Sequence, residues 1–352
     1  MPTRDDIRLL PLDSAIALHP DFYADPAWFE FEKREVFAKS WQLVGPAAWA
    51  QETGDHFVAD IAGVSVLVAC GEDGALRAFR NICRHRGAPV VACAGKGAKR
   101  FNCPYHGWSY RLDGTLRAAP EMGGAKDFDI RDYGLSPLRL EVWMGLVFVS
   151  LSAETPPLAE FVGGIAERIA PIDLGAMRFH RRELSPVAAN WKAYADNYLE
   201  GYHVPSVHPR LNEIVDYNGY TTEIERWRSM QTSAIGASAG AYGGAAVFYY
   251  LIWPNTMLNI VEGRLQTNRI VPDGHRRCVI EFDYFYTEEA AARAGADQEI
   301  TALVQDEDRR ICEAVQKSLA SGAYQPGRLC PAREGGVWHF QNLMREAYAR
   351  AF

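Results

Sequence analysis

The sequence lacks a long apolar run and an excess of basic residues. Its longest apolar stretch, residues 142–151, is about half as long as a helix that crosses a bilayer, and the N-terminal string MPTRDDIRLL has no apolar core of a secretory signal. The net charge of −7 disfavours nucleic acid as a partner. We therefore expect a cytoplasmic protein that binds neither a membrane nor nucleic acid.

Cysteine is also scarce: the chain has seven, an odd number, at irregular spacings apart from one cluster. This pattern argues against a disulfide framework and favours reduced thiols and metal ligation. Internal repeats, low-complexity segments and the fingerprints of flavin or nucleotide binding are all missing from the sequence. The apolar content of 48% and the length of 352 residues instead indicate a globular protein of about two domains.

The hydrophobic pattern changes twice along the chain. Residues 1–40 show helix-like spacing of apolar residues, whereas residues 41–152 consist of short apolar or alternating runs separated by Gly and Asp-Gly turns, which predicts an all-β domain. Residues 153–352 mix both patterns, so the predicted fold class is α+β. The elements predicted there are helices at residues 190–202, 288–320 and 336–352, and three or four antiparallel strands within 246–286.

Two short pairs of cysteine and histidine form the clearest candidate metal site. Cys83 and His85 form a C-x-H pair, and Cys103 and His106 form a C-x-x-H pair, each ending in a glycine-containing turn. Two hairpin tips can thus direct two thiolates and two imidazoles to one [2Fe-2S] cluster, with the imidazoles on one iron and the thiolates on the other. Tetrahedral zinc accepts the same residue types, although its paired cysteines usually have longer spacers. Buried cysteines and hydrogen-bonded histidines without a metal are the remaining alternative.

The strings NICRHRGAPV and FNCPYHGWSYRLDG, which contain these four residues, resemble the cluster motif of the Rieske non-haem iron oxygenases. The Rieske proteins of respiratory complexes have two further cysteines that bridge the cluster loops, whereas this sequence has Ala88 and Tyr105 there. Trp108 also stands where the respiratory type has a hydroxyl donor to sulfur. Because such hydrogen bonds raise the reduction potential, we expect a potential toward the low end of Rieske centres, roughly −150 mV.

A second candidate metal site lies in the string NWKAYADNYLEGYHVPSVHP, which contains His203 and His208. Glu200 precedes the first histidine by three residues, so the two would share one face of a helix. Pro205 is expected to end that helix and to let His208 return toward the same point. Two imidazoles and one distant carboxylate form the facial triad of non-haem ferrous oxygenases, which leaves coordination positions open for O₂.

The same string resembles the two-histidine segment of the oxygenase family, which implies a role for its glutamate. By this resemblance, Glu200 is the carboxylate that bridges the mononuclear iron of one subunit and the Rieske histidine of the neighbouring subunit. In the family, the two centres of one chain are too far apart for fast electron transfer, and a head-to-tail trimer brings them together across an interface. Many family members have Asp at this position. Glu200 departs from that pattern and so restricts the subgroup of the family to which the chain can belong.

The third ligand of the triad is expected from the string VQDEDRRICEAVQKSL. This string resembles the family's C-terminal ligand helix, in which Asp308 aligns with the metal-binding aspartate. Asp306 is the alternative ligand, and a solvated helix face is the interpretation without a metal. Asp196 and Asn197 are candidates for orienting the ligands, although helix capping or an interface contact would explain them equally well.

Six aromatic residues are candidates for a substrate pocket, because the sheet that carries most of them would face the two-histidine segment. Alternate residues of a strand point to opposite faces, so about two-thirds of the six are expected in the core instead. Aromatic faces attract quaternary ammonium groups through cation–π contacts and also stack on arenes. The six residues are Tyr198, Tyr202, Phe248, Tyr249, Tyr250 and Trp253.

The resemblance covers most of the chain and implies three segments. A helical segment at residues 1–40 joins the catalytic domain, residues 41–152 form an all-β Rieske [2Fe-2S] domain, and residues 153–352 form a helix-grip (START-like) catalytic domain with a curved antiparallel sheet. Family members receive electrons from NAD(P)H through a separate reductase, in some cases with a ferredoxin, and use O₂ as co-substrate at a mononuclear Fe(II). We expect the same here, in a homotrimer without a β subunit.

The strings ADNYLEGYH, EDRRICEAVQKSL and YQPGRLCP are similar to the choline, betaine and carnitine monooxygenase branch of the family. This similarity favours hydroxylation or N-dealkylation of a quaternary ammonium or N-methyl compound. Ring hydroxylation or dihydroxylation of an aromatic compound is the alternative. A Rieske electron carrier without oxygenase activity is a third hypothesis, against which the second iron site argues because a carrier does not need it.

Overall fold

The computed structural model describes residues 2–235 and 246–352. The chain divides into two compact units, one of Met1–Val36 with Pro157–Phe352 and one of Phe37–Pro156. The N-terminal segment thus belongs to the same unit as the C-terminal half of the chain. The expected domain boundaries, after residues 40 and 152, remain a proposal. Within the described ranges, each helix is too short or too polar to span a membrane.

The unit Phe37–Pro156 is built from short antiparallel strands, which confirms the all-β pattern predicted for this region. Its strands are β1 (Gln42–Pro46), β2 (His56–Ile61), β3 (Val64–Cys70), β4 (Leu76–Arg80), β5 (Phe101–Asn102), β6 (Ser109–Tyr110), β7 (Leu116–Ala118), β8 (Pro137–Trp143) and β9 (Leu146–Ser150). Six strands form one sheet in the order β1-β9-β8-β4-β3-β2, and β5, β6 and β7 form a second sheet.

The core of this unit contains the two cysteines of the candidate cluster site. Cys83 and Cys103 are both buried, and they pack in one cluster with Trp108, Tyr110 and further apolar residues from both sheets. Burial of this apolar surface stabilises the unit and at the same time fixes the two loops that carry the cysteines.

The described residues of the other unit form one antiparallel sheet of seven strands. Its strands are β10 (Arg178–Val187), β11 (Thr221–Glu225), β12 (Arg228–Ala234), β13 (Ala246–Ile252), β14 (Thr256–Val261), β15 (Arg264–Pro272) and β16 (Cys278–Tyr286). The order of the strands is β10-β16-β15-β14-β13-β12-β11. The four strands β13 to β16 confirm the antiparallel strands predicted within residues 246–286.

Helices of the same unit pack on this sheet. They are α1 (Asp21–Ala24), α2 (Pro26–Glu32), α3 (Ala159–Val162), α4 (Ile165–Arg168), α5 (Trp191–Tyr198), α6 (Val204–Val207), α7 (Pro209–Asn212), α8 (Glu288–Ala291), α9 (Ala294–Leu319) and α10 (Gly335–Tyr348). The long helix predicted at residues 288–320 is confirmed as α9, preceded by the separate turn α8, and the helix predicted at 336–352 is confirmed as α10 followed by a 3-10 turn.

The helix predicted at residues 190–202 is shorter than expected. The Asn190 side chain caps its first turn by accepting a hydrogen bond from the Lys192 N–H, but α5 ends at Tyr198. A glycine follows at position 201, where a Cβ atom would lie 2.9 Å from the ring of Tyr220. Glycine disfavours the helix interior and permits this close approach of backbone to ring, so the chain continues as a turn.

A buried ionic network attaches α2 to the rest of its unit. The Glu32 carboxylate accepts hydrogen bonds from Lys192 Nζ and Trp191 Nε1, each at 2.6 Å, and from the Tyr348 hydroxyl at 2.5 Å. Glu32 and Lys192 are both fully buried. Because each charge in this network has partners, the first turn of α5 is held in place next to the segment that carries the candidate metal ligands.

Candidate metal centres

The two cysteine–histidine pairs lie on loops of the same construction. In each loop a glycine in the left-handed region, Gly87 at a φ of 75° and Gly107 at 72°, donates a hydrogen bond to the carbonyl of the cysteine, at 3.0 and 3.1 Å. The cysteine N–H in turn bonds to a carbonyl five residues later, at 2.8 Å in both loops. Glycine adopts this backbone conformation without the strain that a side chain causes, which explains its place four residues after each cysteine.

The two loops place the two histidines next to each other and the two cysteines next to each other. His85 Nδ1 and His106 Nδ1 lie 3.1 Å apart, and the His85 ring stacks on the Trp108 indole with 5.0 Å between centroids. Burial raises the pKa of the Cys103 thiol, and a hydrogen bond to the Cys83 side chain raises it further. Two paired imidazoles and two paired thiols are the ligand set of a Rieske [2Fe-2S] cluster, so the residues present fit that group.

Sequence reasoning missed one residue at this site. The hydroxyl of Tyr110 lies 3.2 Å from Cys83 Sγ and also accepts a hydrogen bond from the Arg84 N–H at 3.0 Å. Trp108 itself offers no hydroxyl, as expected, but Tyr110, two residues further along the chain, brings a hydroxyl to Cys83. Tyr110 is buried on β6, seven residues beyond Cys103, and only the pairing of the two loops shows that it reaches Cys83.

The second candidate site joins two histidines and one aspartate. His203, His208 and Asp308 each offer a ligand atom, and these atoms all lie within 4.8 Å of one another. Asp308 Oδ1 is 3.0 Å from His208 Nε2 and 3.6 Å from His203 Nε2. Two imidazoles and one carboxylate on one side of a cavity fit a mononuclear divalent iron and leave room for further ligands.

The local backbone at this site differs from the sequence-based expectation. Glu200 and His203 lie in the turn after α5 rather than on one helix, and the Glu200 carboxylate accepts a hydrogen bond from the His203 N–H at 3.0 Å. The prediction that Pro205 ends the helix is wrong, because Pro205 lies in the first turn of α6. A proline is tolerated there because the N–H groups of a first helical turn have no partner within the helix.

Asp308 and its neighbours on α9 point in different directions. The Asn197 side chain donates a hydrogen bond of 2.6 Å to Asp308 Oδ1, the same oxygen that both histidines approach. Asp306 instead forms ion pairs with Arg309 and Arg310, away from the histidines. The geometry therefore supports Asp308 over Asp306 as the third ligand.

Asp196, the second residue considered for orienting the ligands, has other partners. It accepts hydrogen bonds from the Tyr23 hydroxyl at 2.6 Å and from Gln341 Nε2 at 3.2 Å. Desolvation raises its pKa to about 6, despite these two hydrogen bonds. Asp196 thus connects α1, α5 and α10 rather than the metal site.

A further carboxylate, missed by sequence reasoning, contacts the second histidine. Glu307 Oε2 lies 2.7 Å from His208 Nδ1, and Glu200 Oε1 lies 2.5 Å from His203 Nδ1. Burial would lower the pKa of His208, but its hydrogen bonds to Asp308 and Glu307 outweigh burial and raise it. The only signal in the sequence was the adjacency of Glu307 to Asp308, which does not show that the two side chains contact opposite edges of one ring.

A cavity opens beside the triad. It encloses about 680 Å³ between atoms, counting its mouth, and tyrosine and phenylalanine rings form much of its wall. Tyr249 lines the cavity, whereas its strand neighbours Phe248 and Tyr250 do not, as strand alternation predicts. Of the six aromatic candidates, only Tyr198 and Tyr249 lie among the residues that line the cavity. The aromatic lining residues are Tyr194, Tyr198, Tyr220, Tyr249 and Phe282.

Polar side chains form the floor of the cavity on the sheet. Gln266 and Asn268, two residues apart on β15, share one face and are joined by a hydrogen bond of 2.8 Å. Asn259 lies opposite Gln266 on β14 and accepts a hydrogen bond from the Tyr198 hydroxyl at 2.6 Å. The cavity therefore combines apolar rings with a small number of oriented amides, as small-molecule sites usually do.

Comparison with known proteins identifies the two domains in which the candidate sites lie. The family model of the Rieske [2Fe-2S] domain matches residues 40–131, and that of the ring hydroxylating alpha subunit (catalytic domain) matches residues 174–350. The chain is 34% identical to a chloroplastic choline monooxygenase of Arabidopsis thaliana, over 95% of this chain and 83% of the relative. It is 30% identical to the carnitine monooxygenase oxygenase subunit of Escherichia coli (strain K12), over 93% of this chain and 92% of the relative.

Solved structures give the same result. A quaternary ammonium Rieske monooxygenase in complex with its substrate L-carnitine superimposes with a TM-score of 0.85 at 26% identity, covering 97% of this chain and 99% of that chain. A naphthalene 1,2-dioxygenase shares the fold, with a TM-score of 0.81 at 19% identity, covering 99% of this chain and 94% of that chain.

These matches establish the family that the motifs predicted. Alpha subunits of this kind work with a separate reductase and form multimers. The alternative of a zinc protein is wrong, because the match to the Rieske domain identifies the cysteine–histidine pairs as part of a [2Fe-2S] domain. The chain belongs to the Rieske non-haem iron oxygenases as an alpha (catalytic) subunit, an oxidoreductase with a Rieske domain for a [2Fe-2S] cluster and a catalytic domain for a mononuclear iron.

Proposed function

We propose that the chain is the terminal oxygenase of a system that oxygenates a quaternary ammonium or N-methyl compound, by hydroxylation or N-dealkylation. The observation that carries this proposal is a cavity with tyrosine walls beside three carboxylates, Glu200, Glu307 and Asp308. The named activities of the choline and carnitine monooxygenases that the chain resembles support the same substrate class.

The ligands divide between the two centres. Cys83, Cys103, His85 and His106 would hold the [2Fe-2S] cluster, which supplies one electron at a time. His203, His208 and Asp308 would hold the Fe(II), which supplies the reduction of O₂ and its transfer to the substrate.

The charge of the catalytic site favours a cation. A divalent iron with the carboxylates Glu200, Glu307 and Asp308 leaves one net negative charge, which attracts a quaternary ammonium group and repels an anion. The Arg264 guanidinium also lines the cavity, but its ion pair with Asp297 neutralises its charge. The faces of Tyr198, Tyr220 and Tyr249 can each add a cation–π contact, roughly 0.5–2 kcal/mol depending on desolvation. An arene would use the same rings but not the negative charge.

Side chains of this chain prepare the site before any substrate binds. Asn197 holds Asp308 through the 2.6 Å hydrogen bond, and Glu200 keeps the Nε2 atom of His203 free for the metal by bonding to its Nδ1. The apolar wall limits water near the reacting atoms, and the Gln266 and Asn268 amides can orient a polar end of the substrate.

Electrons would reach the catalytic iron by way of the Rieske cluster. A separate NAD(P)H-dependent reductase, with or without a ferredoxin, would reduce the Rieske cluster. The head-to-tail homotrimer, without a β subunit, would pair the cluster of one subunit with the iron of the next, and Glu200 would bridge them. The contact between Glu200 Oε1 and His203 Nδ1, at 2.5 Å, supports this role because the bridge must end on a ligand of the iron.

The experiment that tests the substrate class needs no reductase. The reduced protein is treated with nitric oxide, and the EPR signal of the iron–nitrosyl is followed during titration with choline, glycine betaine or carnitine and, separately, with benzoate or naphthalene. We expect the ammonium compounds to change the signal and the arenes to leave it unchanged. The opposite pattern would identify a ring hydroxylase, the alternative that the aromatic wall also accommodates.

A further inference from the structure

Carboxylate oxygens of two consecutive residues of one helix lie close to the two ring nitrogens of His208. Asp308 Oδ1 lies 3.0 Å from Nε2, and Glu307 Oε2 lies 2.7 Å from Nδ1. Consecutive residues of an α-helix point about 100° apart, so their carboxylates can reach opposite edges of a ring placed between them. The His208 side chain is 1% exposed, which leaves the ring little space for any other orientation.

His203 also has a carboxylate near each ring nitrogen, but the carboxylate at Nδ1 comes from Glu200 and not from α9. His203 directs Nε2 toward Asp308 and bonds through Nδ1 to Glu200, at 2.5 Å. A neutral imidazole has one N–H and one lone pair, and a carboxylate on Nδ1 fixes the N–H there. Both rings therefore present the lone pair of Nε2 to the same point, next to Asp308 Oδ1.

We propose that Glu307 is a positioning residue for the mononuclear iron. It fixes the tautomer and the ring plane of His208, and its charge makes the imidazole a stronger electron donor to the metal. Glu200 contributes the corresponding contact to His203 but also has the proposed task of bridging two subunits. Glu307 would serve the iron of its own subunit only, so the two carboxylates are separable by experiment.

The partner of Glu307 distinguishes it from Asp306 and Glu313, two other acids of α9. Asp306 is paired with Arg309 and Arg310, and Glu313 accepts hydrogen bonds from the Ala188 N–H and from Arg309. Glu307 directs its carboxylate to a buried imidazole instead, although its own side chain is 25% exposed. A merely solvated helix face would not place a partly exposed glutamate on a buried histidine.

The test measures iron binding without substrate or turnover, so its outcome does not depend on the proposed substrate class. The mononuclear iron is removed from the purified holoprotein with a chelator while the visible spectrum of the Rieske cluster is monitored. Fe(II) is then titrated back anaerobically into the wild type, Glu307→Ala, Glu307→Gln and the control Asp306→Asn. EPR of the iron–nitrosyl reports the ligand geometry of each loaded variant.

We expect Glu307→Ala to weaken Fe(II) binding roughly 10–100-fold, to change the rhombicity of the nitrosyl signal and to leave the Rieske spectrum intact. Glu307→Gln keeps an acceptor for Nδ1–H but loses the charge, so it should recover part of the affinity. Asp306→Asn should bind Fe(II) as the wild type does. Wild-type affinity and an unchanged nitrosyl signal in Glu307→Ala would overturn the proposal. Should that variant not fold, the same two results in Glu307→Gln would overturn it.

Discussion

The two metal sites differ in how their ligands are distributed along the chain. His85 and His106 of the Rieske site are 21 residues apart, whereas His208 and Asp308 of the catalytic site are 100 residues apart. The Rieske ligands lie on two similar loops whose geometry follows from local spacing and glycine. The catalytic ligands meet only because α9 packs against the turn after α5. The first site is thus determined by local sequence and the second by tertiary structure.

The two sites also differ in which ligand atoms are enclosed. In the Rieske loops the cysteines are buried while His106 is exposed, so an electron can reach the imidazole side from outside. At the catalytic site His208 is 1% exposed and the ligands face a cavity. This contrast matches a division of labour, since the first centre exchanges electrons and the second must control access of water and substrate.

The largest effect is expected from a substitution that removes the catalytic iron and leaves the Rieske cluster in place. His203→Ala removes one of three ligands from the catalytic iron, whereas the four Rieske ligands all belong to the unit Phe37–Pro156, so turnover should be abolished and the Rieske absorption and EPR spectra retained. Iron analysis should show loss of about one iron per chain. Wild-type turnover in this variant would remove His203 from the catalytic site.

A second prediction tests the connection between the sites. Glu200→Gln should retain both metals, because glutamine still offers an acceptor to His203 Nδ1, but electron transfer from cluster to catalytic iron should slow roughly 10–100-fold. Rapid-mixing absorption of the reduced cluster after addition of O₂ and substrate measures this rate. An unchanged rate would mean that the electron does not pass through Glu200.

A third prediction compares two adjacent residues of β13. Tyr249→Leu should weaken the binding of choline-like compounds about 2–30-fold, which corresponds to a cation–π contact of roughly 0.5–2 kcal/mol. Phe248→Leu is the matched control, since Phe248 faces away from the cavity and contacts Arg168 instead. The dissociation constants come from the iron–nitrosyl titration. Equal losses in both variants would indicate general destabilisation of the sheet.

The smallest effect is predicted at the Rieske site. Tyr110→Phe removes the hydroxyl that lies 3.2 Å from Cys83 Sγ, and loss of a hydrogen bond to sulfur should lower the reduction potential. A bond of about 1 kcal/mol corresponds to roughly 40 mV for a one-electron couple. Redox titration monitored by circular dichroism measures the shift. A potential that stays the same or rises would exclude Tyr110 as a donor to the cluster.

Sequence reasoning was most successful where function depends on local spacing. The family, the fold class, the strands β13 to β16 and the helices α9 and α10 follow from motifs and periodicity that lie within short windows. The end of α5 was not predictable in this way, because it depends on the close approach of Tyr220 to Gly201. The place of Pro205 at the start of α6 follows from that earlier end.

The residues that were missed are those that act across long sequence separations. Tyr110 reaches Cys83 across two loops, and Glu307 reaches His208 across 99 residues. Neither contact leaves a spacing pattern in one sequence, since a tyrosine in a strand and a glutamate in a charged helix are common. Asn197 and Asp196 were both named as candidates for orienting the ligands, and the choice between them required the structure. Of these two residues, Asn197 contacts Asp308 and Asp196 does not.

A single-turnover experiment tests the central claim most directly. The protein is reduced chemically, separated from the reductant and mixed with ¹⁸O₂ and choline, glycine betaine or carnitine, because one electron from the cluster and one from the iron suffice for one turnover. Mass spectrometry should find close to one oxidised ammonium product per catalytic iron, formed by incorporation of one labelled oxygen atom. Fully loaded protein that oxidises none of these compounds, but converts an arene, would contradict the account.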